Sequence, residues 1–323
     1  MMTKKSIKTK ESADIKPIQA NKAEVKTESL DLSKFDNLIN LIEKAENINS
    51  IKPQIIEHIK NIIKTSSLEN TEVVFLFDPD TSIRDYTADQ IYNSLSRLNK
   101  PIKNLLLLIH SRWGSIEPAY LISKCCKEFA EKFIVVVPRL AKSAATLISL
   151  GADEIHMGQM SQLGPIDPQI NGLPALGLGN AVEYLASLCK KYPEANEMLA
   201  KYLSFKLNLN MLWYFERVTE SAAQYAQRLL ESTKLPSNKN PLNIAASFVY
   251  SYKDHGFVID HKEAKKHLGD IIKVNTSEYK MADNIHKFLE NVKLIAKILK
   301  KKKMSLIGSI DNWLLFSEIK EEK

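Results

Sequence analysis

Three observations predict an α/β fold built on a mostly parallel sheet. The apolar runs Val73-Val-Phe-Leu-Phe77, Leu105-Leu-Leu-Leu-Ile109 and Phe133-Ile-Val-Val-Val137 read as buried strands. Thr87 to Leu98, between the first two, places Ile91, Leu95 and Leu98 on one helical face. The strands run out into turns at Asp78-Pro79, Gly114 and Ser143. Parallel strands joined by helices present their loops on one edge of the sheet, so these three turns are expected to lie together.

In chain order, residues 1–30 are rich in lysine and glutamate with few large apolar groups, which predicts a disordered basic tail. Residues 31–70 read as a helical arm. Asp31 and Ser33 precede Phe35, Leu38, Ile39, Leu41 and Ile42 at helical spacing, and a second amphipathic helix runs from Pro53 to Lys64. The main domain spans 71–275. Pro138 cannot donate to a sheet ladder and ends the third strand. A helix starts near Asn180, and from Pro193 to Ser232 the chain is largely helical and apolar, a feature suited to subunit contacts or to an internal core. Leu235 to Pro241 is a linker, His261 to Leu268 a helix and Ile271 to Val274 a short strand. The segment 276–323 holds a long helix, Tyr279 to Leu299, and an apolar docking tail, Met304 to Phe316, that packs on a partner or on the body.

The segment Arg139-Leu-Ala-Lys-Ser143-Ala-Ala-Thr146 puts a serine between a buried strand and a helix-forming run. A helix N-terminus offers unpaired N–H groups and a dipole that favours negative charge, which suits an alkoxide or an oxyanion. A plain N-cap serine is the other reading of the same spacing.

The neighbouring motifs separate the two. Downstream stand Ala152-Asp-Glu-Ile-His-Met157 and Leu163-Gly-Pro-Ile-Asp-Pro-Gln169; upstream, the second strand ends in His110-Ser-Arg-Trp-Gly114. This order resembles the ClpP/crotonase superfold, and more narrowly the serine dehydrogenase proteinase family, related to signal peptide peptidase A. The resemblance covers about Val73 to Val274. It implies repeated strand–strand–helix units, here with N- and C-terminal helical additions, and a serine peptidase. Ser143 is then the nucleophile, and the backbone N–H groups of Gly114 and Ala144 are the oxyanion donors. The chain departs from the family pattern at two places: Arg112-Trp113-Gly114 replaces Pro-Gly-Gly, and Ala145 replaces a glycine. Either change narrows the groove, redirects specificity or marks a site that does not turn over.

The base is left open. Where Clp proteolytic subunits carry a histidine, this chain has Asp167, a carboxylate too weak to deprotonate serine unless its pKa is strongly raised. Relatives of signal peptide peptidase A use a lysine made neutral by burial, and Lys190, followed by Lys191, is the first lysine after the Leu-Gly-Pro loop. His255, in an Asp-His segment that matches the family's distal region, is the second candidate. The other histidines show no ligand spacing along the chain, so no metal site and no cofactor are expected.

Composition bounds the partners. The 323 residues are 44% hydrophobic and carry a net charge of +7, concentrated in the N-terminal tail and in Lys300-Lys-Lys-Lys303. Aromatics do not interleave with that charge, so no nucleic-acid partner is expected; a peripheral membrane contact would rest on the basic tails alone. Three cysteines without metal spacing, no apolar leader core and no window of ~18 apolar residues give the expectation of a cytoplasmic protein acting on peptides or proteins. An inactive oligomeric scaffold and a crotonase-type acyl-CoA enzyme are the alternatives, and the peptidase-like Leu163–Gln169 loop argues against the second.

Overall fold

The three central strands of this protein bury both of their faces, and the helices follow from that. A computed structural model describes residues 30–98, 101–170, 173–206, 209–252, 254–311 and 314–319. By internal contacts the chain divides into Met1–Asp31 and Leu32–Lys323, and the tail expected over 1–30 lies, Leu30 apart, outside the described residues.

The elements of the second unit run α1 (Phe35–Lys44), α2 (Lys52–Thr65), β1 (Thr71–Phe77), α3 (Asp85–Ser96), β2 (Ile102–His110), α4 (Ile116–Phe129) and β3 (Ala130–Val137). Then come β4 (Leu140–Ala141), α5 (Ala144–Leu150), β5 (Glu154–Met157), β6 (Gln162–Leu163), and the hairpin β7 (Gln169–Ile170) and β8 (Leu173–Pro174). A helical stretch follows: α6 (Ala175–Lys191), α7 (Asn196–Lys206), α8 (Leu209–Glu231), α9 (Pro241–Tyr250) and α10 (His261–Leu268). β9 (Ile272–Val274), α11 (Ser277–Lys300), β10 (Lys302–Ser309) and β11 (Leu314–Glu318) complete the chain.

The main sheet has seven strands in the order β11-β10-β1-β2-β3-β5-β9. From β1 to β9 neighbouring strands pair parallel; β10 is antiparallel to β1, and β11 to β10. Alternate residues of the three apolar strands divide between two cores. Val74, Leu76, Leu105, Leu107, Phe133 and Val135 face the core shared with α3, α4, α5, α8, α9 and α10. Phe75, Phe77, Leu106, Leu108, Ile134 and Val136 face the core shared with α1, α2 and α11. Strands covered on both sides read as unbroken apolar runs, as these do.

The three strands, the helix over His261–Leu268 and the long last helix lie where the sequence puts them. The C-terminal addition is not wholly helical. Met304–Ser309 lies in β10 and Leu314–Phe316 in β11, and β10 pairs with β1 from Val74↔Ser309 to Phe77↔Leu306. Its apolar residues answer the open edge of β1: Met304, Leu306 and Leu314 enter the same core as Phe75 and α11. The helical arm reaches this core too, through Leu38, Ile42, Ile55 and Ile59. α1, α2, α11, β10 and β11 are therefore packed parts of the unit that begins at Leu32.

Because Leu306 is wholly buried between β1 and α11, Leu306→Ala is expected to lower stability by about 2–5 kcal/mol in denaturant unfolding. A change under ~1 kcal/mol would show a C-terminal strand that docks loosely.

Candidate active site

Beyond the carboxyl ends of β1, β2 and β3 the chain pairs again, in short pieces, and those pairs build a cleft. After β1, Ile83 bridges Gly114: the Ile83 N–H donates to the Trp113 carbonyl at 3.1 Å, and the Ser115 N–H donates to the Ile83 carbonyl at 2.9 Å. With its neighbours holding Ile83, Gly114 turns its own N–H to the other side. A Cβ at Gly114 would lie 2.4 Å from the Ile83 Cβ, so this close approach requires glycine.

After β2, Ser111 bridges Ala141 of β4, and β4 pairs with β6. β4 delivers Ser143 to the N-terminus of α5 with φ 53° and ψ −115°. A non-glycine residue in this region stores roughly 1–3 kcal/mol of strain and persists only when its surroundings over-determine it. Here they do. The Lys142 N–H donates to the Ser111 carbonyl, and the Ala145 N–H to the Lys142 carbonyl, both at 3.0 Å. The Thr146 hydroxyl lies 2.7 Å from the Ala141 carbonyl and 2.9 Å from the Gly164 carbonyl, and accepts the Gly164 N–H at 3.0 Å. The serine turn is thereby fastened to the Leu163–Gln169 loop. Ala144 is the first residue of α5, so its N–H belongs to the set that a helix leaves without an internal partner.

Gly114, Ser143, Ala144 and His255 line one cleft of about 570 Å³. Trp113 lines it as well and is 46% exposed, so the bulk expected in the groove is there. Ala145, by contrast, is wholly buried in the core, away from the opening.

His255 reaches the cleft from far along the chain because Ile259 pairs with Leu163, N–H to carbonyl in both directions at 2.9 and 3.0 Å. Its Nδ1 lies 3.8 Å from Asp167 Oδ2. Asp167 is buried; Gln169 Nε2 donates to its Oδ2 at 2.9 Å, while Oδ1 and the His255 Nδ1 are buried without a hydrogen-bond partner. Burial pushes the Asp167 carboxyl up to about 6, against the Gln169 bond, which lowers it. Burial, aided by the Lys142 charge, holds His255 below the usual histidine value. Lys142 itself donates from Nζ to the Gly256 carbonyl at 2.7 Å, and desolvation with the nearby Arg112 charge lowers its pKa.

The structure thus gathers Ser143, Gly114, Ala144, His255 and Asp167, and leaves Lys190 out. Lys190 and Lys191 are exposed in the last turn of α6, and neither lines the cleft. Exposure supplies none of the desolvation that a lysine base requires. Sequence reasoning missed the Lys142–Gly256 tether, which joins the residue before Ser143 to the residue after His255. It also missed Tyr214 and Val218, which α8 contributes to the cleft wall. Neither carries a sequence signal: both depend on pairings between distant segments.

Part of the chain is similar to known proteins. Residues 88–192 match the family described as ClpP-like SDH-type serine proteinase. The matched third of the chain holds the Gly114 turn, Ser143 and Asp167, and it stops short of His255. Two uncharacterized proteins of Methanocaldococcus jannaschii are similar over shorter stretches. One is 41% identical over 85 residues, 26% of this chain and 29% of that protein. The other is 39% identical over 72 residues, 22% of this chain and 25% of that protein. The chain therefore spans under a third of these curated relatives. Among solved structures, a mutant of the membrane-bound stomatin-specific protease 1510-N is similar at TM-score 0.39 and 15% identity, covering 75% of this chain and 88% of that one. A mutant ClpP1 from Listeria monocytogenes is similar at TM-score 0.39 and 15% identity, covering 69% and 99%. At TM-scores this low the structural likenesses carry no weight for the site. Among the described residues no helix is long and apolar enough to cross a membrane.

The raised Asp167 pKa has a signed consequence for stability. A carboxyl whose folded pKa of about 6 exceeds the ordinary 3.8 contributes stability that is fully present below the ordinary value and is lost as pH rises through about 6. Asp167→Asn is therefore expected to be more stable than the parent at neutral pH, by on the order of 1 kcal/mol, with the gain vanishing toward pH ~4. Parallel melts across pH check this; a pH-independent difference would remove the buried-carboxylate argument.

Proposed function

We propose that this chain is a serine peptidase that cleaves peptide bonds through a Ser143 acyl-enzyme. His255 serves as base, Asp167 as its orienting carboxylate, and the Gly114 and Ala144 N–H groups as the oxyanion site. The observation that carries the reading is the convergence of these groups on one cleft: Ser143, His255, Gly114 and Ala144 line it, and Asp167 stands 3.8 Å behind the histidine.

The chemistry follows from that arrangement. With Nδ1 turned toward Asp167, the His255 Nε2 is the nitrogen left for Ser143. It takes the hydroxyl proton as Oγ attacks the scissile carbonyl, and it returns the proton to the leaving amine. Water then repeats the sequence on the acyl-enzyme. The negative charge on the former carbonyl oxygen is met by the glycine N–H, which no side chain obstructs, and by the first N–H of α5. The His255–Asp167 contact is longer than a hydrogen bond and must close by about 1 Å to work as one, a tightening that substrate binding commonly brings. The Lys142–Gly256 tether limits how far the histidine loop can stray. Trp113 at the mouth sets the substrate preference by filling space that the family's glycine leaves empty.

Ser143→Ala is expected to abolish labelling by a fluorophosphonate probe and to lower peptide hydrolysis by ~10⁴-fold or more, with the fold intact. His255→Ala should act similarly. His255 must be neutral to accept the proton, and its pKa lies below 6.5. The kcat/KM profile should therefore rise through a midpoint below that value and be level above neutrality. The midpoint belongs to the His255–Asp167 pair rather than to either group alone. A profile rising only on the alkaline side would transfer the role of base to a lysine, and a folded protein without labelling would make the chain an inactive scaffold.

The chain is proposed also as a homo-oligomer. Phe205 on α7 is 92% exposed, and Met198, Tyr202 and Trp213 stand near it in sequence with most of their surface open. An apolar surface of this kind fits a second copy of the chain, and α8 carries it to the cleft through Tyr214 and Val218. Light scattering is expected to give a mass above the 36.6 kDa of one chain, falling to it in Phe205→Glu; a concentration-independent monomer in the parent would overturn the assembly.

A further inference from the structure

On the other face of the sheet, at the last residue of β2, lies a group of side chains that the cleft does not use. By the alternation of β2, His110 follows Leu106 and Leu108 onto the face covered by α11. α11 answers with His286 and Glu290, four residues apart on one helical face. The three residues each offer a ligand atom, and those atoms lie within 4.8 Å of one another. His286 Nε2 is 3.2 Å from His110 Nδ1, and His110 Nε2 is 3.4 Å from Glu290 Oε1. Both histidines are 5% exposed.

The hydrogen-bond pattern among these groups does not close. If His110 gives its Nε2 proton to Glu290 and receives the His286 Nε2 proton at Nδ1, the His286 Nδ1 is left as a buried nitrogen without a partner, which is how it stands. Reversing the tautomers puts a His110 lone pair against the carboxylate and still strands His286 Nδ1, now as a donor. Two buried imidazoles and a carboxylate that cannot satisfy one another's hydrogen bonds are a donor set for a metal ion rather than for each other.

We infer that His110, His286 and Glu290 form a binding site for a divalent transition ion of the zinc class. Two imidazole nitrogens at ~2.0–2.1 Å from one tetrahedral ion stand about 3.3 Å apart, close to the 3.2 Å found. The carboxylate must come inward, and it is the member free to do so, because the Glu290 side chain is 35% exposed while the histidines are fixed. Phe77 stacks on His110 at 5.1 Å and packs edge-on to His286 at 5.8 Å. The exposed side leaves a fourth position for water. One cation already competes: Lys293 Nζ holds Glu290 Oε1 at 2.6 Å and has to release it. Bound there, the ion ties α11 to the end of β2, one residue before the Ser111–Ala141 bridge that carries the serine turn. The histidines escape a search by spacing because the third ligand is 176 residues from its partner.

The test is calorimetric titration of Zn²⁺ into the chelator-treated full chain, paired with Co²⁺ absorption spectra. One equivalent should bind, the melting temperature should rise with zinc, and the cobalt form should show visible bands without the thiolate charge transfer that Cys125, Cys126 or Cys189 would produce. Glu290→Gln, which alters a partly exposed residue and leaves the core intact, should weaken binding by ~10-fold or more, and His286→Ala by more. Lys293→Met should tighten it by removing the competing ammonium. No stoichiometric uptake by the parent would overturn the site. So would zinc affinity unchanged in both Glu290→Gln and His286→Ala, or a cobalt spectrum showing thiolate ligation.

Discussion

Three consecutive strands with no polar face impose the architecture. β1, β2 and β3 expose nothing that water can solvate across their central residues, so each needs a layer on both sides. The chain supplies one layer from helices between and after the strands, and the other from both ends of the unit, α1 and α2 before the sheet and α11 after it. Once the strands run parallel, their carboxyl ends share an edge, and everything the site needs must arrive there. The second tier of short pairings, Ile83 with Gly114, Ser111 with Ala141 and Leu163 with Ile259, is the means of arrival.

The strain at Ser143 and the burial of Asp167 belong to one design. A serine at φ 53° is unfavourable by itself, and a buried carboxylate with one unpartnered oxygen is unfavourable by itself. Both are held by the same loop: Gly164 fixes Thr146 beneath the serine turn, and three residues on Asp167 faces His255. A chain selected for stability alone would place glycine at the first position and an apolar residue at the second. Their retention within one cleft is what chemistry at that cleft would require.

The sheet's outer edges are handled differently from its centre. β9 is three residues long and leaves little edge to extend. On the other side, β10 and β11 close off β1, and Lys302 pairs with Glu318 across the last two strands. The same C-terminal segment supplies α11, so one element covers a sheet face, carries His286 and Glu290, and leads the chain back to the sheet edge.

What was legible from residues alone was whatever local physics decides. Apolar runs too hydrophobic to face water marked β1, β2 and β3; periodic apolar spacing marked α1 and α3; and the Gly114 and Ser143 turns stood out because few residues suit a strand-to-helix corner. The loop motif around Asp167 was legible as a motif, though its partner was not. Everything that depended on distant segments meeting was decided by tertiary structure. Lys190 looked like a base because it came next along the chain, but helix α6 leaves it in solvent, while the pairing of Leu163 with Ile259 brings His255 to Asp167 instead. Met304–Phe316 looked like a docking tail because its apolar content shows that it is covered, and only the open edge of β1 determines by what. His110, His286 and Glu290 were invisible for the same reason: sequence spacing fixes which side chains share a helix face or a strand face, while packing alone determines which two faces touch.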